Sequence, residues 1–561
     1  MAALFVMVVV PVQPATVGAS DDAPAGASAT IAVVGDVILG GSTNAVAAER
    51  GPDYLWDGLQ PLMDADLSIA NLESVATARG VRHVEKSEVV PYYFRARPET
   101  LAVLAAGGID AVATANNHSG DYGLAAILEQ NALLDEMGIA RVGTGNSRAE
   151  ACAPVYLSAG DGLRVALFSA DATEPHFSAR SGRAGTCHLP LGDRDAWDDE
   201  FADAITHAER SSHAVLFAVH WGENWQSEPS ADKRSIGRLL IDLGVDAVLG
   251  SNAHTLQGIE LHAEGVIVHD VAHAVAPFGQ PADAAIFTFT VSANGLESVA
   301  IDPIIADTDR ARSATPDESA RILARLTELS AKLGASLDAD RLDFRPDPRP
   351  AAPLVPDEVV EPTSGELPPP AEAPPPDCVV DAVPEAARIE PIRVGPLTLV
   401  GAMAAQDHYL IPALIQFDTY WMIDAPVATD LQLVPHGIRD GRESALWMSA
   451  HEPCDWGWPT SRWKVGTIYR DEAALRPPPA ALSPQGAATV ASGFGGPLSV
   501  SVGVERHGSE VGRSPVLGEI DLGVPALLTY AVVISASILL LGGVFAVSRR
   551  RRLSRERRRT T

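Results

Sequence analysis

Polar residues of metal-ligand and acid–base types follow five separate apolar runs of the chain. The runs are rich in Val, Ile, Leu and Ala without alternation, as is typical of strands buried on both faces. Because the carboxyl ends of parallel strands meet at one edge of a sheet, groups that follow such strands are expected to converge. The residues are Asp36, then Asn71 and Glu73, then Asn116, Asn117 and His118, then His220, Trp221 and Glu223, and finally Asn252 and His254.

This mixture of carboxylates, amides and imidazoles indicates a divalent metal site. Such donors suit Mn, Fe(II), Zn or Mg, and no cysteine is placed to act as a soft ligand. Two such ions would clamp a phosphate-like tetrahedral centre and activate water near neutral pH. Each residue alone has a structural explanation: Asn117 could cap a helix that begins near Asp121, and His220 could be a core histidine. Their joint placement after five strands favours a shared site.

Short strands and amphipathic helices alternate around these residues. This order predicts an α/β fold with a largely parallel sheet. The Asn294-Gly295 pair predicts a hairpin that closes the sheet with antiparallel strands. A last helix should begin at Thr315 as N-cap and end at Gly334. We assign residues 29–335 to this domain.

Two further segments lie between this domain and the C-terminus. Residues 345–377 are dense in proline and acid, which indicates a linker. Residues 378–523 hold five of the nine tryptophans and short β-like runs, which predicts an antiparallel β-sandwich. There Trp458, Trp463 and Arg462 could form a sugar-stacking platform, although core packing is the favoured interpretation.

The two ends of the chain carry targeting signals. Residues 526–547 contain no charged residue, and ~20 apolar residues suffice for one transmembrane helix. The basic tail, residues 548–561, should stay cytoplasmic, so the N-terminal domains would be extracytoplasmic. Residues 1–20 resemble a signal peptide but lack the usual basic start. The sequence thus predicts a single-pass protein of the cell membrane.

Charge and cysteine content narrow the class of protein further. The formal net charge of −30 argues against nucleic acid as a partner, since phosphate binding needs a basic surface. Four cysteines are too few for a disulfide framework in a chain of this size. In an oxidising compartment Cys152 could pair with Cys187, and Cys378 with Cys454, although the sequence alone does not fix the pairing.

Five motifs in fixed order resemble the signature set of the bacterial CapA family. They read "GDVILGG", "NLES", "ANNHSGDYG", "HWGENW" and "GSNAHTLQGIE" and lie within residues 35–260. Members of this family are associated with capsule or poly-gamma-glutamate synthesis, and the family resembles calcineurin-like metallophosphatases in fold. The resemblance covers about residues 29–306 and implies a metallophosphatase-like α/β sandwich.

The resemblance also implies roles for individual residues. His118 would protonate a leaving group or bind the anion, with Asp121 and Glu223 as supporting or substrate contacts. The chain departs from the metallophosphatase pattern at Ile38, where a histidine is usual, and at Asn252, where the family commonly has histidine. Nearby, "HDVAHAVAPFG" adds His269 and His273. The implied metal-site residues are Asp36, Glu73, Asn117, His220, Asn252 and His254.

These observations lead to one main hypothesis and two alternatives. The main one is a membrane-anchored extracytoplasmic protein that acts in synthesis, anchoring or trimming of an anionic or peptide-like surface polymer such as poly-gamma-glutamate, by metal-assisted hydrolysis or transfer. The first alternative is a non-catalytic scaffold that binds polymer or a polymer-synthase membrane protein, which the departures at Ile38 and Asn252 favour. The second is a periplasmic phosphoesterase.

Overall fold

The computed structural model describes most of residues 26–522. The signal-peptide-like segment, the transmembrane segment and the basic tail lie outside the described residues, as does most of the linker. Within the part of the chain that is described, no helix is long and apolar enough to cross a membrane. The gaps are 60–61, 63, 81, 83–85, 88–91, 161, 278–280, 344–358, 361–372, 375–377, 405–414, 440–441, 448–450, 452, 455–457, 476–495 and 507–508.

The N-terminal domain alternates strands with helices, as predicted. The strands are β1 (Ser28–Val37), β2 (Trp56–Asp57), β3 (Leu67–Leu72), β4 (Val75–Ala76), β5 (Arg95–Ala96), β6 (Ala111–Ala113), β7 (Ala140–Val142), β8 (Thr144–Gly145), β9 (Val155–Ala159), β10 (Leu163–Asp171), β11 (Gly185–Thr186), β12 (Ala214–His220), β13 (Ala247–Ser251), β14 (Ile259–His262), β15 (Gly265–Val268), β16 (His273–Val275), β17 (Ala282–Ser292), β18 (Gly295–Asp307), β19 (Arg310–Ser313) and β20 (Arg341–Asp343). The α-helices include Thr43–Arg50, Ala102–Ala106, Leu124–Met137, Arg148–Ala151, Arg194–Ser211, Ala231–Asp242 and Pro316–Lys332.

Most of these strands form two large mixed sheets rather than one largely parallel sheet, while β4 with β5 and β8 with β11 form two-stranded sheets. The first has the order β2-β19-β18-β17-β1-β3-β6-β7, in which β1, β3, β6 and β7 are parallel and β17 runs antiparallel to β1. The second has the order β14-β15-β13-β12-β10-β9-β21, where β21 is Val359–Val360. Its strands β10, β12, β13 and β15 are parallel, β14 and β9 run antiparallel to their neighbours β15 and β10, and β21 is parallel to β9. The α/β class is confirmed, and the single largely parallel sheet is corrected to two mixed ones.

The two sheets pack against each other through one hydrophobic core. Val33 of the first sheet and Leu167 and Leu216 of the second belong to the same buried cluster. The other face of the second sheet packs against the helices Arg194–Ser211 and Ala231–Asp242 in a separate cluster. The strands β3, β10, β12 and β13 are buried at every position, which explains their unalternated apolar runs.

The predicted closing hairpin and last helix are both present. Strands β17 and β18 pair antiparallel with Ser292 opposite Gly295. Thr315 caps the helix Pro316–Lys332 in a reciprocal capping box with Glu318. The helix ends before Gly334, whose φ of +90° suits a residue without Cβ.

The region after residue 378 contains two five-stranded sheets in which all pairings are antiparallel, as predicted. Trp421 of one sheet and Leu433 of the other lie in a shared core. Trp463 stacks on Tyr469 with ring centroids 4.0 Å apart, and Trp458 is buried in the same core, which confirms packing for these tryptophans. The strands are β22 (Val379–Val380), β23 (Arg388–Val394), β24 (Leu397–Ala404), β25 (Ile415–Ile423) and β28 (Ile468–Leu475), then β26 (Gln432–Arg439), β27 (Arg442–Trp447), β29 (Gly496–Arg506), β30 (Ser509–Arg513) and β31 (Gly518–Leu522).

All four cysteines form disulfides. Cys152 is bonded to Cys187 within the α/β domain, and Cys378 to Cys454 within the β-rich region. The two pairings that the sequence suggested are confirmed.

Candidate metal centre and acid–base site

The carboxyl ends of strands from both sheets meet at one place. In the first sheet Asp36 lies opposite Asn71, and in the second His220 lies opposite Ser251. The close approach at Asp36 depends on Gly35, because a Cβ there would lie 1.9 Å from the carbonyl oxygen of Ala272. The backbone of β1 therefore lies in direct contact with the backbone of the segment that precedes β16.

Asp36, Glu73 and His254 form the centre of the site, and all three are buried. One ligand atom from each lies within 4.8 Å of the others. His254 Nδ1 is 3.0 Å from Asp36 Oδ2 and 3.7 Å from Glu73 Oε2. Two carboxylates and an imidazole suit a borderline divalent ion, and ligands at ~2.0–2.2 Å from an ion can lie ~4 Å apart. The donor types and their spacing therefore fit a divalent cation.

His254 and Asp36 of this triad keep each other charged despite burial. Burial lowers the pKa of His254, but the Glu73 carboxylate and the hydrogen bond to Asp36 outweigh it and raise the pKa to about 9. Burial raises the pKa of Asp36, but the hydrogen bond to His254 and its charge bring it down to about 2. Because a ligating imidazole must give up its proton, a cation would compete with that proton for His254.

His220 and Asn117 lie directly beside the triad. His220 Nε2 is 2.9 Å from Asn117 Oδ1 and 3.5 Å from Glu73 Oε1. An amide oxygen only accepts, so Nε2–H donates to Asn117 and Nδ1 accepts from the Ser251 hydroxyl at 2.9 Å. Burial lowers the pKa of His220, which favours this neutral form. The ring is thus held at a defined orientation next to Glu73.

His118 and Asp121 form a second, adjoining group. His118 Nδ1 is 2.7 Å from Asp121 Oδ2, and His118 Nε2 is 4.0 Å from Glu73 Oε1. Lys86 Nζ donates to Asp121 Oδ1 at 2.8 Å, and the Phe94 backbone N–H donates to Oδ2 at 2.7 Å. Burial raises the pKa of Asp121 to about 6, against the opposing effect of Lys86. Asp121 therefore orients the imidazole so that Nε2 faces the metal centre.

Glu223 and Asn252, the two remaining predicted site residues, belong to neither of these groups. Glu223 is exposed on the loop after β12, whereas the other predicted site residues are buried. Asn252 has a φ of +97°, and its Nδ2 donates to the Gly222 carbonyl at 2.8 Å. Ile38 is buried in the core and offers no donor atom. Asn252 thus fixes a loop in this structure, and the closest set of ligand atoms is the triad.

Sequence reasoning missed Asp270 and Lys86. Asp270 accepts backbone N–H groups from Ala253 at 2.8 Å and from Ala272 at 3.0 Å, so it joins the loops on either side of the triad. Lys233 Nζ lies 3.6 Å from its carboxylate. Asp270 follows β15 directly, so the strand-end pattern had a sixth member, whereas Lys86 follows no strand end.

Comparison with known families supplies an independent assignment. Residues 30–276 match the model of the family described as bacterial capsule synthesis protein PGA_cap. The match includes every residue of the triad and of the His118 group. The α/β domain is thus similar to the PGA_cap family over residues 30–276. The resemblance proposed from the five motifs is thereby confirmed.

Curated relatives cover about the same share of the chain. The PGA biosynthesis protein CapA of Bacillus subtilis (strain 168) is 24% identical over 275 residues, which are 48% of this chain and 70% of the relative. The capsule biosynthesis protein CapA of Bacillus anthracis is 23% identical over 279 residues, 49% of this chain and 67% of the relative. The uncharacterized protein y4uA of Sinorhizobium fredii is 27% identical over 305 residues, 44% of this chain and 65% of the relative. The PGA_cap match leaves the β-rich region outside its range.

Proposed function

We propose that this protein acts in the synthesis, anchoring or trimming of a capsule-type surface polymer, with the PGA_cap domain as a metal-dependent hydrolase or transferase. The observation that supports this most is the convergence of Asp36, Glu73 and His254 with His220 and His118 in one buried cluster. The names of the two Bacillus relatives point to capsule or PGA biosynthesis, and poly-gamma-glutamate is therefore the first polymer to test.

The residues divide into a metal-holding and a proton-handling set. Asp36, Glu73 and His254 would hold a divalent ion such as Mn, Fe, Zn or Mg, which supplies Lewis acidity for hydrolysis or transfer when bound. His118 Nε2 faces Glu73, and its Nδ1–H is held by Asp121. It is thus oriented to give a proton to a leaving group or to take one from the attacking group.

Membrane attachment belongs to the same proposal. The uncharged segment 526–547 and the basic tail would anchor the protein in the cell membrane with both folded regions outside. This topology would bring the PGA_cap domain to a surface polymer and to membrane-embedded polymer-synthase partners. The net charge of −30 disfavours nucleic acid as a substrate.

The experiment is metal analysis of the purified full-length chain together with hydrolysis assays on poly-gamma-glutamate and on a phosphoester. We expect about one divalent ion per chain, activity that a chelator removes, and loss of activity in His118→Ala and His220→Ala. His451→Gln, a histidine change in the β-rich region, is the matched control and should retain activity. Turnover of the phosphoester but not of poly-gamma-glutamate would instead support the second alternative, a phosphoesterase.

If the protein bound no metal and neither histidine change affected activity, the proposal of a metal-dependent enzyme would be wrong. The scaffold alternative is favoured by Ile38 and by the loop-fixing contact of Asn252. It predicts polymer binding that survives chelator and His118→Ala but is lost when residues 378–523 are removed.

A further inference from the structure

Trp225 lies beside His254 of the metal centre and is 59% exposed, more than any other large hydrophobic side chain of the described residues. Its ring centroid is 5.4 Å from that of His254 and 6.4 Å from that of His273. The indole therefore contacts a ligand of the candidate metal while most of its surface is exposed to solvent. Neither the metal site nor the acid–base group uses this side chain.

The backbone at Trp225 is held in an uncommon conformation. Its φ of +63° falls in the left-handed region, which bulky residues rarely adopt. Strain of this kind persists where surrounding contacts fix it, and it concentrates at functional sites. Three hydrogen bonds provide that fixation: Trp225 N–H to the Ala253 carbonyl, Asn252 Nδ2 to the Gly222 carbonyl and Gln257 Nε2 to the Gln226 carbonyl, each at 2.8 Å.

The neighbours of the indole restrict what it can bind. Glu223, Asn224 and Gln226 are exposed on the same loop. An aromatic face beside amides and a carboxylate offers apolar contact to ring C–H groups and hydrogen bonds to hydroxyls. Glu223 and the exposed Glu228 would repel a polyanion at this point of the surface. A pyranose ring satisfies both features, whereas a run of free carboxylates does not.

We propose that Trp225 forms a carbohydrate-stacking subsite beside the metal centre and that it binds a sugar ring of the polymer or of its acceptor. The subsite deepens the proposed function and rests on it, because it names the group that lies next to the reacting bond. Glu223 and Asn224 take the sugar hydroxyls. Because the three hydrogen bonds already fix the loop, the indole is held in its binding orientation, and binding costs little conformational entropy.

The test is binding of defined oligosaccharides to the full-length chain by calorimetry. An N-acetylglucosamine hexamer represents cell-wall glycan, maltohexaose represents a neutral hexose polymer, and poly-gamma-glutamate is the polyanion. We expect at least one oligosaccharide to bind and Trp225→Ala to weaken it by about tenfold, as expected for loss of a central aromatic anchor. Trp225→Phe should retain most of the affinity. Leu261→Ala, at a side chain that is 41% exposed, is the control and should bind normally.

The outcomes separate the subsite from the catalytic proposal. Trp225-dependent binding that persists in His118→Ala or in chelator supports the subsite even if no turnover is found. Metal-dependent turnover with no Trp225-dependent oligosaccharide binding overturns the subsite and leaves the catalytic proposal standing. Poly-gamma-glutamate binding that Trp225→Ala weakens, with no oligosaccharide bound, also overturns it. Unchanged metal content and circular dichroism in Trp225→Ala show that the variant is folded.

Discussion

The α/β domain and the β-rich region each contain a buried histidine hydrogen-bonded to an aspartate. His118 Nδ1 lies 2.7 Å from Asp121 Oδ2, and His451 Nε2 lies 3.0 Å from Asp471 Oδ2. All four side chains are almost completely inaccessible to solvent. The distance and the burial of each pair would therefore suggest the same role for both histidines.

The two His–Asp pairs differ in the residues that surround them. Asp471 pairs across the sheet with Thr419, whose hydroxyl accepts the Trp421 indole N–H at 2.7 Å, so the network joins core residues. His118 follows a strand end, and its Nε2 faces Glu73 beside the metal-ligand triad. A buried His–Asp pair is therefore weak evidence for function. Convergence of further charged groups from separate strand ends is what distinguishes the His118 pair.

The largest effect should follow from removing a ligand of the triad. Glu73→Ala deletes a fully buried carboxylate that lies near His254, His220 and His118. Since loss of a partner that merely orients a metal ligand costs 10–100-fold in metal affinity, loss of the ligand should cost more than about 100-fold. Metal titration of purified protein measures this. Full metal content in Glu73→Ala would show that the triad is not the binding site.

The next effect separates the two histidines directly. His118→Ala should lower turnover by about 10²–10⁴-fold, the range for loss of a general acid or base, while metal content stays normal. His451→Gln should leave turnover per folded molecule unchanged. Steady-state kinetics with metal analysis tests both. Equal losses in the two variants would mean that the pairs do not differ in role.

Lys86 should act on turnover through Asp121. Lys86→Met removes the cation that opposes burial and so raises the pKa of Asp121 further above about 6. Asp121 would then be protonated at higher pH and would stop accepting His118 Nδ1–H. We expect a fall in kcat of about 30-fold and an acid limb of the pH profile that moves to higher pH. Lys86→Arg should restore part of both, which a purely structural loss would not show.

The His451–Asp471 pair should contribute to the stability of the β-rich region rather than to turnover. His451→Ala leaves Asp471 buried without its imidazole donor, and an unsatisfied buried polar group costs about 1–3 kcal/mol. Chemical denaturation of the full chain should show this loss in the unfolding transition of the β-rich region. His451→Gln, which can keep a hydrogen bond, should lose less. A wild-type transition in His451→Ala would mean that the contact contributes nothing.

Strand-end placement anticipated much of the site from the sequence. Asp36 and Glu73 lie together because they lie at the carboxyl ends of neighbouring parallel strands of the first sheet, and the unalternated apolar runs revealed those strands. His254 follows β13 of the second sheet and joins them only because the two sheets pack against each other. The capping box at Thr315 and the hairpin at Asn294 were equally local signals. Pattern reasoning succeeds where a few neighbouring residues determine the geometry.

Other features depend on contacts between distant parts of the chain. The first sheet depends on the pairing of β17 with β1, which are about 250 residues apart, and no local pattern encodes this pairing. Lys86, which lies outside the named strands and helices, donates a hydrogen bond to Asp121. The positive φ of Asn252 turns its amide toward Gly222. Such side-chain directions required the structure.

A third buried pair, His269 with Glu260, extends the comparison to an effect that depends on pH. Burial lowers the pKa of His269 to about 4, and its Nδ1 has no hydrogen-bond partner among the described residues. The folded state thus binds fewer protons than the unfolded state between pH 6.5 and 4. Stability from this group is complete above pH 6.5 and should be lost as the pH falls to 4, by about 3 kcal/mol.

Thermal unfolding of the full chain between pH 7 and pH 4.5 measures this loss. His269→Gln keeps a donor for the Glu260 carboxylate, which lies 2.9 Å from Nε2, but cannot titrate. Its midpoint should therefore fall less with pH than that of the wild type. The neighbouring Arg234 and Lys233 charges, which also lower the pKa of His269, remain in both proteins and cancel in the comparison. Identical pH slopes would assign the acid sensitivity to other groups and leave His269 as a neutral packing residue.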